Sequence, residues 1–179
     1  LDSGLGETVE DALGEAFEAQ EVANAVIASS GQQAAALWRL RETIPEAQKL
    51  AGAGLKHDIS VPLTSVPEFL ARATDLATAM IPGICVIPFG HMGDGNIHFN
   101  LSRPPETDGA EMIAKAHDLE VSVHDLAVEL DGSFSAEHGI GKLKRGELAR
   151  YKSDVEFDLM QKVKDVIDPN DMMNPGKVL

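Results

Sequence analysis

The stretch FGHMGDGNIHFN, residues 89–100, sets His91 and His98 on either side of an Asp-Gly pair. Asp-Gly between two alternating apolar runs is a hairpin signal. With Asp94 and Gly95 as a two-residue turn, Gly93 faces Asn96, Met92 faces Ile97 and His91 faces His98. Directly opposed residues share a sheet face, with Cβ atoms roughly 4.5–5.5 Å apart, so the two imidazoles can bind one metal ion. Asn100, two residues past His98, points to the same face, while Ile97 and Phe99 point to the other. A longer loop breaks the direct opposition but keeps this parity. Two imidazoles leave a zinc site short of the three or four protein ligands it usually takes. Glu137, in SFSAEHGIGK, is the best third donor. The competing reading is a hairpin whose polar face simply contains histidines, and both readings stand at this level.

Further charged candidates lie upstream. LWRLRETI and GLKHDISVP supply Arg39, Arg41, Lys56, His57 and Asp58. On a strand Lys56 and Asp58 share one face and His57 takes the other. Arg is a natural fork for a carboxylate. In a chain of formal net charge -14, a Lys and an Arg near a metal would form a local anion site. Taken singly, each is an ordinary solvated cation. HGIGKLKR lacks the phosphate-loop spacing, with Leu143 where Ser or Thr is needed. GHMGDG is followed by a strand rather than a helix, so it is not a dinucleotide fingerprint.

Composition narrows the class. The sequence pI near 4.7 argues against a nucleic-acid binder, which needs clustered Lys and Arg. No apolar run approaches the roughly 20 residues of a membrane span, and the acidic N-terminus does not read as a signal peptide. The single cysteine, Cys85 in ICVIPF, permits no intrachain disulfide. It reads as a small buried hydrophobe, and the expected setting is reducing and cytoplasmic.

The elements that must position these residues follow from periodicity. Val9, Leu13 and Phe17 form one stripe of a helix. ANAVIASS reads as a short strand, and GQQAAALWRLRETIPEAQKLA as helix ended or kinked by Pro45. KHDISVPL is a strand closed by Pro62. SVPEFLARATDLATAM is a helix with Ser65 and Glu68 as a capping box. GICVIPFGH and NIHFNLSR are strands. TDGAEMIAKAHDLEVSVHDLAVEL is a long helix with Ile113, Ala116, Leu119, Val123 and Leu126 on one side, and DGSFSAEHG is a last short strand. The order β-α-β-β-α-β, over about residues 55–138, predicts an α+β, ferredoxin-like antiparallel sheet with both helices on one face. KLKRGELARY and VEFDLMQKVKDVID add C-terminal helices, and DPNDMMNPGKVL a turn-rich tail, over 140–179.

WRLRE, KHDISVP, GHMGDGNIHFN, SAEHGIG and DPNDMMNPGKVL, in this order, resemble the C-terminal half of FAD-linked oxidases of the vanillyl-alcohol-oxidase superfamily. That group includes dehydrogenases of D-2-hydroxyglutarate and D-lactate and the flavin subunit of glycolate oxidase. The resemblance runs from about Val22 to the end. It implies a two-part enzyme in which this chain is part of the substrate-binding cap and the FAD-binding domain lies outside it, which agrees with a chain that starts at Leu1. It implies His91, His98 and Glu137 as metal ligands and His138 as general base. Arg41 and Lys56 match positions that hold substrate carboxylates, Asn100 lines the pocket, and Asn174 contacts the flavin. The expected ion is zinc, with manganese as the alternative, and the expected substrate is a 2-hydroxy acid. Pro45 stands where hydroxyglutarate-type relatives carry a Thr for the distal carboxylate, which leaves lactate, malate or another 2-hydroxy acid open. A homodimer is a further expectation. Two other classes compete: a metal-dependent hydrolase complete in one chain, and a non-catalytic ferredoxin-like binding module.

Overall fold

The computed structural model describes residues 3–52, 54–91, 93–104 and 109–179. Two compact units divide the chain, Leu1–Ala47 and Gln48–Leu179. The first contains α1 (Ser3–Glu18) and α2 (Gly31–Glu42). α2 is capped by Ser30, whose side chain accepts from the Gln33 amide, satisfying one of the amides that a helix start leaves without a partner. ANAVIASS is not a strand: residues 24–29 carry no regular element. A strand needs a neighbour for its ladder, and β-branched residues alone do not supply one. Pro45 behaves as expected, since α2 stops before it and α3 (Ile44–Ala51) restarts with the proline in its first turn.

The second unit carries the sheet. β1 (Gly54–Ser60), β2 (Cys85–His91) and β3 (Asn96–Ser102) pair antiparallel in the order β1-β3-β2. α4 (Val66–Met80) follows β1 and α5 (Ala110–Glu129) follows β3. The expected fourth strand reduces to one antiparallel bridge, Ser60 with Ser133. Gly132 is pressed against the Ser60 carbonyl there, and beyond the bridge the chain meets β1 only through hydrogen bonds to Asp58, without a ladder. The mixed α/β class and the sheet order are compatible with the ferredoxin-like arrangement. α6 (Arg145–Tyr151) and α7 (Asp154–Ile167) come after the bridge, and the tail beyond has no helix or strand.

Alternation builds the core. Ile97, Phe99 and Leu101 of β3 leave one face and are buried with Ile59 of β1, Phe69 of α4 and Leu119 and Val123 of α5. The Phe69 and Phe99 rings meet edge to face at 5.7 Å, a favourable aromatic geometry. On α5 the stripe differs at its start. Ile113 is exposed and Met112 is buried in its place, while Leu119, Val123 and Leu126 are buried as expected. The start of this helix at Thr107 lies outside the described residues. The expected capping box at Ser65 does not form: its side chain makes no cap bond, and Glu68 pairs with Arg72 instead. A capping box does form at Ser153 and Glu156, on α7.

Candidate metal centre

The hairpin loop is longer than two residues. His91 faces Asn96 and Phe89 faces His98, so the direct opposition of the two histidines is replaced by a diagonal one. The shift is by two positions, and the period-two alternation therefore keeps both on one face. Asp94 accepts from the Asn96 amide at 3.0 Å and fixes the turn. Gly95 sits at φ +73°, and a Cβ there would lie 2.0 Å from the Val61 carbonyl oxygen, so no other residue fits without moving the chain. Met92 lies outside the described residues.

This face has rows. Across β1, β3 and β2 they read Ser60, Asn96, His91; then Asp58, His98, Phe89; then Lys56, Asn100, Ile87. The loop after the Ser133 bridge reaches over the middle row. Glu137 Oε1 lies 3.4 Å from His91 Nε2, and its Oε2 lies 3.7 Å from His98 Nε2. The His91 and His98 rings are 6.0 Å apart, and His138 stacks on His98 at 6.2 Å. Ligand atoms of Asp58, His98, Glu137 and His138 all lie within 4.8 Å of one another. Residues far apart in sequence thus converge on one carboxylate.

Asp58 is the member that sequence reasoning noticed only as a charge on the face of Lys56. It is 2 % exposed. Its Oδ2 accepts the Glu137 and His138 amides at 2.9 and 2.8 Å. Burial opposes ionisation, but the His138 and Glu137 amides outweigh it and hold the carboxyl below the usual range. Its Oδ1 is buried and makes no hydrogen bond, and the same holds for Asn96 Oδ1. Orphaned buried acceptors are rare and costly. Their presence in the histidine rows, beside two imidazoles and a carboxylate, fits a bound cation.

The next row opens into a cavity of about 420 Å³ where Gln48, Lys49, Lys56, Asn100 and Ser102 stand beside Leu55 and Leu101. Asn100 donates to Gln48 Oε1 at 2.8 Å, which leaves the buried Gln48 Nε2 as an orphaned donor. Gln48 was not singled out by the sequence; its only signal is its place in the helix just before the Lys56 strand. A second cavity of about 460 Å³, with Leu63, Val66, Pro67 and Leu70, is mostly apolar and borders the site through His91, Asn96 and Phe89. The cavity that holds Lys49 and Lys56 is the better match to an anionic small molecule. Arg41 belongs to α2 of the first unit. Asn174, at φ +51°, accepts from the Lys177 amide in a tail turn, and the Val178 amide donates to the Gly141 carbonyl of the HGIG loop.

A different histidine pair lies on the helix side. His57 Nδ1 is 2.8 Å from the Phe99 carbonyl, and its ring meets His124 at 5.9 Å. Burial pushes both below their ordinary values, His124 to about 3. These two are neutral core histidines rather than part of the centre.

The family described as FAD linked oxidases, C-terminal domain, matches residues 4–178. The chain is 41% identical over 157 residues to a D-2-hydroxyglutarate dehydrogenase of Xanthomonas citri pv. viticola, covering 88% of this chain and 33% of that protein. It is 39% identical to the protein of that name from Stutzerimonas stutzeri, covering 88% and 34%. It is 36% identical to the mitochondrial D-2-hydroxyglutarate dehydrogenase of Arabidopsis thaliana, covering 97% and 30%. The chain belongs to the FAD-linked oxidase C-terminal domain family. It spans about a third of the length of these curated relatives.

Proposed function

We propose that this chain is the substrate- and metal-binding part of a flavin-dependent dehydrogenase that oxidises a D-2-hydroxy acid to the 2-oxo acid. The family match and the names of the relatives support the flavin-linked oxidation. The convergence of His91 and His98 on the Glu137 carboxylate carries the metal part. Two imidazoles and a carboxylate suit zinc, with manganese as the alternative.

His91, His98 and Glu137 would hold the ion. The ion would supply Lewis-acid polarisation of the 2-hydroxyl, and the flavin an acceptor for the C2 hydride. His138, exposed beside His98, takes the hydroxyl proton on a ring nitrogen. Lys56 and Asn100 lie one row away, two residues along the strands or roughly 7 Å. That distance lets them orient the rest of the acid while its reacting end sits at the histidines. Arg41 is assigned the partner carboxylate contact, and Asn174 the flavin contact, on the family resemblance. A cytoplasmic setting and a homodimer complete the reading.

The test is anaerobic. D-2-hydroxyglutarate, D-malate or D-lactate is added to the protein that carries this chain together with its FAD-binding domain. At least one D-acid should bleach the flavin while its L-enantiomer does not. A flavin left oxidised by all three contradicts the reading.

A further inference from the structure

We propose that Asp58 is the positioning residue of the centre: its buried carboxylate fixes the backbone of Glu137 and His138 so that both side chains project beside His98. The inference rests on the reading above, because the centre it positions is the one assigned to metal and substrate. Residues 136–138 have no strand to lie in, since pairing with β1 ends at the Ser60–Ser133 bridge. Their three successive amides are instead all directed at one residue. Ala136 N donates to the Asp58 carbonyl at 3.2 Å, and Glu137 N and His138 N donate to its Oδ2. One strand residue thus replaces the missing ladder at the point where ligand and base must be placed.

The position in the sheet makes this specific. Asp58 is paired with His98 across β1 and β3, so it anchors the incoming loop directly beside a histidine ligand. The same oxygen that holds the two amides lies 3.7 Å from His138 Nδ1. Outer residues that hold metal ligands in place typically control affinity by ten- to a hundred-fold.

The experiment compares Asp58→Ala and Asp58→Asn with the unaltered chain. Amide hydrogen exchange by NMR is read at Glu137 and His138, with the β1 and β3 amides as the folding control. Zinc affinity is read by competition with a chelator. An asparagine oxygen still accepts both amides, whereas alanine offers none. Exchange at the two amides should accelerate at least about ten-fold in Asp58→Ala, stay within a few-fold in Asp58→Asn, and zinc affinity should follow the same order. Unchanged exchange in Asp58→Ala overturns the inference, as does an Asp58→Asn that is as poor as Asp58→Ala. Should Asp58→Ala lose the strand amides as well, Asp58→Asn decides alone: kept protection with kept zinc affinity supports the role, and selective loss at residues 137 and 138 overturns it. A chain that binds no zinc in its unaltered form sinks the metal reading instead, and the exchange pattern still judges Asp58.

Discussion

Lys56 and Asn100 face each other across β1 and β3, with the amide of Gln48 held over them by the Asn100 bond. A substrate carboxylate in this cavity would meet the Lys49 and Lys56 cations and one orphaned donor. A hydrogen bond to a charged group is worth about 1.5–3 kcal/mol, so Lys56→Met and Gln48→Leu should each raise KM for the hydroxy acid by roughly ten- to a hundred-fold. kcat should change less, because neither side chain touches the reacting carbon; steady-state kinetics on the flavin-containing protein separates the two. A second residue-scale expectation concerns pH. His57 and His124 are buried and neutral, with folded values below the unfolded ones. Below about pH 6.5 the unfolded chain binds protons that the folded chain does not. Each such histidine therefore removes up to about 1.4 kcal/mol of stability per pH unit. Glu147, 2.7 Å from His124 Nδ1 and raised first by burial, acts in the opposite sense as its carboxyl takes up a proton. Urea midpoints should fall from pH 7 to pH 5, and His124→Gln should flatten that slope. The histidine pair of the centre was legible from parity alone. The part Asp58 plays was not, because it depends on amides 79 and 80 residues away that no local pattern reports.

At the scale of elements, the hairpin decides whether the histidines meet. Its register is set by a turn that the Asp-Gly signal located correctly but made two residues too tight. The period-two alternation absorbed the difference, which is why the face assignment of His91, His98 and Asn100 survives while the pairing does not. Gly95→Ala should destabilise the unit by about 1–3 kcal/mol, seen as a lower thermal midpoint, because it adds a Cβ against the Val61 carbonyl at a left-handed φ. Gly93→Ala, with open space around it, is the control and should shift the midpoint far less. The long helices and the three strands were legible because their apolar periods are strong. The expected fourth strand does not form: its residues alternate well enough, but beyond a single bridge the chain meets β1 only at Asp58. Whether a segment finds a ladder is a tertiary fact.

On the scale of the molecule, apolar surface is left exposed on α7. Val155, Leu159, Val163 and Val166 are all more than half exposed and follow one another at helical spacing. Such a stripe normally packs against something. No helix among the described residues is long and apolar enough to cross a membrane. In a chain that spans a third of its relatives' length, the proposed cover is the FAD-binding domain or a second copy. The isolated chain should therefore self-associate with rising concentration in sedimentation runs, and Leu159→Glu with Val163→Lys should weaken that association without altering the sheet. The most direct test of the whole account is the metal content of the purified chain, measured by elemental mass spectrometry beside Glu137→Gln and His91→Ala. The account predicts near-stoichiometric zinc or manganese in the unaltered chain and its loss in both variants. Metal retained after both substitutions, or a flavin-containing protein that is active yet metal-free, would contradict it.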